Sequence, residues 1–285
     1  MSRGVLYLCA TPIGNLGDIS ERALETLRSV DRIACEDTRH SMGLFSHFGI
    51  SKPLISYHEH NKYERAEELV SLLLAGENIA LVTDAGTPVI SDPGEVLVQE
   101  AKKAGILVTS LPGPCALITA LTLSGIPARR FVFEGFLPQE SKERKAVLQD
   151  LKEERRTVVL YEAPHRLRKT LEELANALGE ERPVCLCREL TKLHEEAVNM
   201  RLSEAMALYR ETEPRGEYVL VLAGKSEERL QAEKQESWES KSVMQHLADF
   251  METGLDKKAA MKAMAEAFGK PKREIYDAIL KEKEP

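Results

Sequence analysis

The sequence predicts an α/β protein made of two α/β domains, followed by a small all-helical extension. Short apolar, β-prone segments alternate with Gly- and Pro-rich loops and helical patterns up to residue 125, and the alternation begins again after it. Beyond residue 241, three short helical patterns are separated by glycines, as in a helix-turn-helix module. We therefore expect α/β domains at 1–125 and 126–224, a polar linker at 225–240 and a helical extension at 241–285.

The stretch 81–94, LVTDAGTPVISDPG, predicts a strand that ends in a rigid loop. Its last eleven residues contain two prolines, two glycines and two aspartates. Proline fixes φ and removes a backbone donor, whereas glycine allows backbone angles and close approaches that a Cβ forbids. Ligands of α/β sheets bind at the carboxyl ends of strands, so this loop is a candidate pocket wall. An ordinary βα connection is the alternative, but such loops are usually shorter.

The other elements follow from the same two patterns, apolar runs that stop at turn residues and apolar residues spaced three and four apart. The predicted strands are Val5–Ala10, Asp31–Cys35, Leu54–Tyr57, Ile106–Leu111, Phe131–Gly135, Arg156–Tyr161, Val184–Cys187 and Gly216–Gly224. The predicted helices include one after the N-cap Ser20, Tyr63–Leu74 capped by Asn61, Leu117–Leu123, Ser141–Glu154, one carrying Leu167 to Leu178, and Val243–Met251, Lys257–Phe268 and Lys272–Ile279.

Composition excludes several classes of function. No apolar run approaches the ~18–20 residues of a membrane span, so no membrane partner is expected. Five cysteines in strand-like segments indicate reduced thiols and a cytoplasmic protein. A net charge of −7 argues against coating nucleic acid by bulk electrostatics. The segment 129–169 is locally basic, with eleven Lys/Arg against seven Asp/Glu, and is either a phosphate-binding face or a pair of solvated helices.

Polar residues also cluster where other predicted strands end. The run EDTRHS at 36–41 combines two carboxylates, a guanidinium, an imidazole and two hydroxyls. His58 and His60 are spaced like metal ligands, but no third ligand lies near them in sequence. Cys185 and Cys187 would share one face of a strand, without a second pair at zinc spacing. We therefore predict no metal site. GxGxxG and P-loop patterns are absent, so the usual nucleotide motifs give no support.

Taken together, these loops resemble one family. The motifs are TPIGN at 11–15, AxEDTRHS at 34–41, SDPG at 91–94, LPGPCA at 111–116, YEAPHR at 161–166 and CRELTK at 187–192. They are similar to those of the small-subunit ribosomal RNA 2′-O-methyltransferase I family of the tetrapyrrole methylase superfamily, over about residues 4–224. That resemblance implies a class III methyltransferase fold with S-adenosylmethionine in a cleft between two α/β domains. It also explains the missing GxGxxG, since this superfamily does not bind the cofactor as Rossmann methyltransferases do.

The resemblance also implies which residues bind the cofactor and which RNA is the substrate. The cofactor wall should contain Pro12, Asp84, Gly86, Pro88, Val89, Ser91, Cys115, Ala116, Tyr161, Gly216, Tyr218 and Val219. The substrate would be a cytidine ribose in the decoding region of small-subunit (16S) RNA, in the assembled or assembling subunit. A homodimer is expected because the superfamily commonly forms one.

A ribose 2′-hydroxyl is a poor nucleophile at neutral pH, so a general base would help. Our candidates are Asp37, Glu36 and His58, with Arg39 holding phosphate or base. Loop capping and a structural pair with Arg39 are equally good interpretations of the two carboxylates. Single-stranded RNA is recognised by stacking, and the stacking candidates are Phe136, Tyr161, Tyr57 and His165.

Three alternatives stay open. A sibling methylase would use the same fold and cofactor on a tetrapyrrole or a protein residue. A non-catalytic ribosome assembly factor would bind S-adenosylmethionine and pre-ribosomes without methyl transfer. A metal-dependent hydrolase would use His58, His60 and Asp37, and a chelator would abolish its activity.

Overall fold

The structure is a computed structural model that describes residues 3–283. The chain forms two compact units, one up to Ala223 and one from Gly224 onward. None of the described helices is both long and apolar enough to cross a membrane.

The first sheet of the first unit is parallel throughout, with strand order β3-β2-β4-β1-β5. Its strands are β1 (Val5–Cys9), β2 (Arg32–Cys35), β3 (Leu54–Ser56), β4 (Ile79–Leu81) and β5 (Leu107–Leu111). Its helices are α1 (Glu21–Ser29), α2 (Thr38–His47), α3 (Lys62–Leu74), α4 (Gly94–Lys103) and α5 (Ala116–Leu123). Parallel strands joined by helices put all five carboxyl ends at one edge, where the Gly- and Pro-rich loops follow.

The second sheet is mixed, with strand order β6-β7-β10-β8-β9. Its strands are β6 (Phe131–Phe136), β7 (Thr157–Glu162), β8 (Pro183–Arg188), β9 (Glu196–Arg201) and β10 (Tyr218–Leu222), and its helices are α6 (Ser141–Glu153), α7 (Pro164–Leu178) and α8 (Leu202–Glu211). Strands β6 and β7 are parallel, and the other three pairings are antiparallel. This pattern brings the ends of β6, β7 and β8 to the same edge as the start of β10.

Helix α5 packs on the second sheet, although it follows a strand of the first. Leu117 and Leu121 lie in one apolar cluster with Val159, Cys187 and Val219. Burying a side chain of this size contributes about 1.5–3 kcal/mol. The two sheets are thereby held together around the loops before α5. Cys185 and Cys187 are buried free thiols in this cluster, as expected of core residues.

Four features of the first unit differ from the sequence prediction, and one of them is helix α8, which was not predicted. The polar run after β2 is not wholly a loop, because Asp37 caps α2 by accepting a hydrogen bond from the Arg39 amide at 2.8 Å. Strand β9 was not predicted, because it is a largely exposed edge strand without an apolar pattern. Asn61 precedes α3 but does not cap it. Its Oδ1 accepts from the His58 amide at 2.8 Å and its Nδ2 donates to the Ser56 carbonyl, so it closes the turn before the helix.

The second unit consists of α9 (Glu227–Glu239), α10 (Val243–Glu252), α11 (Lys257–Phe268) and α12 (Lys272–Lys283). The last three match the predicted helical patterns closely. The stretch 225–240, expected as a linker, forms α9. Its Ser226 cap, the two glutamates that follow and the packing of Trp238 on the apolar cluster of the unit stabilise this helix despite its few apolar residues.

Candidate active site

A cavity of about 490 Å³ lies where the loops of both sheets converge. From the first sheet it is lined by Ile13, Glu36, Thr83, Asp84, Ala85, Gly86, Thr87, Ile90, Ser91, Asp92, Cys115 and Ala116. From the second sheet it is lined by Phe136, Tyr161, Glu162, Ala163, Pro164, Leu190, Glu217, Tyr218 and Val219. Its size is typical of a small-molecule or cofactor site.

The loop between β4 and α4 is held in an unusual conformation by Asp92. Val89 and Ser91 have φ angles of 78° and 63°, which side chains with a Cβ rarely adopt. The Asp92 carboxylate accepts hydrogen bonds from the amides of Val89 at 2.6 Å and Gly94 at 2.7 Å. Such residues cost on the order of 1–3 kcal/mol each and persist where the surroundings enforce them, often at ligand sites.

Two further contacts fix the position of this loop. Gly86 pairs with Thr11 through two backbone hydrogen bonds of 2.9 and 3.1 Å, and its φ of 88° suits a residue without a Cβ. The Thr87 hydroxyl donates to the Pro114 carbonyl at 2.9 Å. The loops after β1, β4 and β5 therefore form one connected wall of the cavity.

Tyr57 anchors the start of α4 and does not stack on a ligand. Only 2% of its surface is exposed, its hydroxyl donates to the Pro93 carbonyl at 2.9 Å, and it accepts from the Leu97 amide at 3.1 Å. Burial raises the pKa of Tyr57 to about 12, so the hydroxyl stays protonated. Our expectation that Tyr57 stacks on RNA was wrong, because the ring lies in the core.

Aromatic rings form the opposite side of the cavity. The Tyr161 ring meets Phe133 and Phe136 edge to face, with centroid distances of 5.0 and 5.6 Å. The Tyr161 hydroxyl oxygen accepts from the Leu117 amide at 3.1 Å, which ties β7 to α5. Half of Phe136 is exposed, so this ring can stack on a ligand. His165 is exposed at the start of α7, outside the cavity wall.

The cavity is acidic in its lining, although Arg166 pairs with Glu162 and Lys192 pairs with Glu217 from outside it. Five carboxylates line it, and its described lining contains no lysine, arginine or histidine. They are Glu36, Asp84, Asp92, Glu162 and Glu217. Such a site favours a cationic ligand and opposes a polyanion.

Glu36 differs from the other carboxylates of the cavity in its contacts. It makes no hydrogen bond or ion pair with any residue of the described chain 3–283. Burial raises the pKa of Glu36 above its usual value, and the nearby Asp84 and Asp92 carboxylates raise it further. His58 acts on this pKa in the opposite direction. The His58 Nδ1 atom is buried and has no hydrogen-bond partner among the described residues, so it can form a hydrogen bond with a bound group or water.

The contacts of Asp37 indicate a structural role instead. Its carboxylate accepts from the Arg39 amide and forms an ion pair with the Arg39 guanidinium at 3.3 Å. These interactions lower the pKa of Asp37, and a carboxyl with a low pKa is a weak base. Its amide donates to Asp84 Oδ1 at 3.2 Å, so the backbone of Asp37 orients a cavity carboxylate. Arg39 is 86% exposed, so its guanidinium can contact an anion from outside in addition to Asp37.

Glu162 is a buried carboxylate in a polar network between β7, α6 and α7. Its side chain is fully buried and accepts hydrogen bonds from the Thr170 hydroxyl at 2.5 Å and the Ala163 amide at 2.9 Å. Arg166 lies 3.4 Å away, and Arg144 donates to the Thr170 hydroxyl at 2.7 Å. The network fixes the loop that carries Ala163 and Pro164 into the cavity.

Most of the sequence-predicted site residues converge on this cavity. Those that line it are Glu36, Asp84, Gly86, Ser91, Cys115, Ala116, Tyr161, Tyr218 and Val219. Those outside its lining are Pro12, Asp37, Arg39, His58, Pro88, Val89 and Gly216. At Gly216 a Cβ would lie 2.5 Å from the Glu189 carboxylate, so this glycine serves the packing of two loops.

The predicted cofactor wall left out several residues that line the cavity, among them Ile13, Asp92, Glu162 and Leu190. Asp92 and Glu162 lie within motifs that were recognised, so position in a motif was the available signal. Leu190 likewise lies within the motif CRELTK, and Glu217 stands between the predicted wall residues Gly216 and Tyr218. Among the described residues, no group of three or more His, Cys, Asp or Glu side chains is arranged to hold a metal ion.

Comparison with known proteins places this geometry in a family. Residues 5–206 match the model of the tetrapyrrole (corrin/porphyrin) methylases. The chain is 48% identical over 277 residues to the ribosomal RNA small subunit methyltransferase I of Synechocystis sp., covering 97% of this chain and 98% of that protein. It is 45% identical to the protein of the same name from Bacillus subtilis, and the match covers 96% of this chain and 94% of that protein.

A solved structure of diphthine synthase has a similar fold, with a TM-score of 0.63 at 16% identity, covering 78% of this chain and 91% of that one. At this low sequence identity, the structural similarity supports the fold alone. The sequence matches to proteins of one name extend over nearly the whole chain. The chain therefore belongs to the ribosomal RNA small subunit methyltransferase I family, within the tetrapyrrole methylases.

Proposed function

We propose that the protein transfers a methyl group from S-adenosylmethionine to the ribose 2′-oxygen of a cytidine in the decoding region of small-subunit (16S) ribosomal RNA. The observation that carries the proposal is the 48% identity to a ribosomal RNA small subunit methyltransferase I over nearly the full length of both chains. The acidic cavity between the two sheets supplies the matching site.

The cavity fits S-adenosylmethionine in volume and in charge. When bound, the cofactor supplies an electrophilic methyl group on a positively charged sulfur. We infer that Asp84 and the loop around Gly86 and Ser91 hold its polar groups, and that Tyr161 and Val219 hold its apolar surface. The carboxylates would favour a positively charged cofactor over a neutral molecule of similar shape.

We assign the role of general base to Glu36. It faces the cavity, it has no competing partner among the described residues, and its raised pKa makes it a stronger base than an ordinary carboxylate. It accepts the proton of the 2′-hydroxyl as the oxygen attacks the methyl carbon. Asp37 holds α2 and orients Asp84, and His58 lies beside the base. In-line placement of the two reacting atoms supplies much of the remaining rate.

The RNA approaches the cavity past Phe136 and Arg39, which are exposed and suited to stacking and phosphate contact. The basic segment 129–169 contributes fewer free cations than its composition suggests. Arg144 is buried in the polar network, and Arg156 pairs with Glu154 at 2.7 Å. Arg129, Arg130 and Lys142 are exposed and remain candidates for phosphate contact.

We further propose a homodimer in the cytoplasm, with α/β domains at 1–125 and 126–224 and no metal in the reaction. The exposed apolar residues Ile118 and Leu123 on α5 and Leu107 on β5 are candidates for the dimer contact. Analytical ultracentrifugation tests this part, and a monomer at micromolar concentration contradicts it.

Methyl transfer to isolated subunits tests the proposed function. Purified protein is incubated with methyl-labelled S-adenosylmethionine and small subunits from cells that lack this modification. We expect label in an alkali-resistant dinucleotide, because a methylated 2′-oxygen cannot attack the neighbouring phosphate. Binding of cofactor and subunit without transfer would favour the assembly-factor alternative. Transfer to a tetrapyrrole or protein acceptor, but not to RNA, would favour the sibling methylase.

A further inference from the structure

The second unit separates its charges along the chain. Residues 224–256 contain four Lys/Arg and eight Asp/Glu, whereas residues 257–283 contain eight Lys/Arg and four Asp/Glu. The basic part coincides with α11 and α12. The second unit is therefore nearly neutral as a whole, although its last two helices, α11 and α12, are basic.

These two helices have the arrangement of a helix-turn-helix. They are joined by the three residues 269–271, with Gly269 in the left-handed conformation at φ 64°. Met264, Ile275 and Ile279 bury their side chains in the apolar cluster of the unit and fix the pairing. The lysines stay outside this core, so they can be replaced without changing it.

Lysines converge on the outer side of the pair. A surface cavity of about 400 Å³ is lined by Lys258, Lys262 and Lys272, and its one carboxylate is Asp256. Asp256 is engaged, since it caps α11 by accepting from the Ala259 amide at 2.8 Å. Lys258 and Lys272 form no ion pair with any residue in the described range 3–283. Lys262 has one contact of 3.9 Å, with the exposed Glu266.

The helix dipole does not explain Lys258 and Lys272. Lys257 and Lys258 begin α11, and Lys272 and Arg273 begin α12. Cations in the first turn oppose the helix dipole, whereas α9 begins with two glutamates as the dipole favours. An anionic partner bound to these cations would offset their unfavourable interaction with the helix dipole. Tyr276 is 53% exposed on α12 and offers a ring for stacking on a base.

We propose that α11 and α12 form an RNA-binding face that holds phosphates of the ribosomal RNA substrate. The inference rests on the proposed function, because RNA is the polyanion which that function supplies. The acidic cavity and the net charge of −7 oppose a polyanion, so affinity for RNA must come from a separate basic surface. The face defined by Lys258, Lys262 and Lys272 meets this requirement.

Fluorescence anisotropy with the full-length protein and a labelled fragment of small-subunit ribosomal RNA tests the proposal. The test variant is K258Q/K262Q/K272Q. The matched control is R229Q/K234Q/K241Q, which removes three exposed cations from the acidic part of the same unit. The variant K258R/K262R/K272R keeps the charge and should bind as the wild type does. Circular dichroism verifies that each variant folds.

We expect the test variant to bind RNA on the order of tenfold more weakly, with a salt dependence whose slope falls by about 2–3, one for each lost phosphate contact. Its KM for subunits should rise while kcat and cofactor affinity stay unchanged. Equal losses in test and control variants would overturn the proposal, because bulk charge would then explain the effect. Unchanged RNA affinity with an altered oligomeric state would overturn it in favour of a protein contact. The binding measurement needs no methyl transfer, so its failure is distinguishable from failure of the proposed reaction.

Discussion

Asp92 holds Val89 in a left-handed conformation, with its Oδ2 accepting the Val89 amide at 2.6 Å and the Val89 φ at 78°. A β-branched residue rarely adopts this angle, so the carboxylate stores strain in a wall of the cofactor cavity. We expect this strain to matter for binding, because a loop that is shaped before the ligand arrives needs less ordering when the ligand binds.

Asp92→Ala should therefore weaken S-adenosylmethionine binding on the order of tenfold, because the loop relaxes away from its bound shape. Isothermal titration calorimetry measures this affinity. In a Val89→Gly background the same change should cost less, since glycine adopts the left-handed angle without strain. Equal losses in both backgrounds would show that Asp92 does not act through Val89.

Glu162→Gln should destabilise the protein by about 2–4 kcal/mol, because it leaves Arg166 without its buried anion and weakens the acceptor for Thr170. Urea denaturation measures the free energy of unfolding. Lys103→Gln is the control, as Lys103 belongs to an exposed pair with Glu100 and should change stability little. A Glu162→Gln protein as stable as the control variant would contradict the structural role of the network.

Tyr57→Phe should cost about 1–3 kcal/mol of stability, since the Pro93 carbonyl and the Leu97 amide lose a buried partner. The matched control is Tyr63→Phe, because Tyr63 is 71% exposed. Thermal unfolding compares the two. If Tyr57 instead stacked on RNA through its ring, Tyr57→Phe would leave stability unchanged.

The pH dependence of methyl transfer should report Glu36. Its pKa is raised above the usual carboxyl value, chiefly by burial, and the base must be ionised. The rate should therefore fall as the pH drops through this raised pKa, at a higher pH than an ordinary glutamate would titrate. A raised pKa in the folded state also means that stability from this group is present at low pH and lost as the pH rises through it. Glu36→Gln should then be more stable than the wild type near neutral pH. An acid limb below the usual carboxyl range would point to Asp37, whose pKa is lowered.

The sequence predicted most elements of the fold because their physical signals are local. Apolar runs such as Ile79–Leu81 and the leucine stripe of α7 need no tertiary information to be recognised. The hydrophobic pattern did not predict α2, where polar residues form a capped helix, or β9, which is an exposed edge strand. The site was predictable where residues end a parallel strand, as Glu36 and Asp84 do. The segments that contain Leu190 and Glu217 were recognised, but which of their side chains face the cavity follows only from the antiparallel pairing of β8 and β10.

The role of Glu36 as the base is tested most directly by comparing Glu36→Gln with Asp37→Asn in single-turnover methyl transfer to unmodified small subunits. Glu36→Gln should lower the rate by at least about 100-fold, which is typical of the loss of a general base, with cofactor affinity retained. Asp37→Asn should stay near the wild-type rate, because asparagine caps a helix as aspartate does. Full activity of Glu36→Gln, or an equal loss in Asp37→Asn, would contradict the assignment of Glu36 as the base.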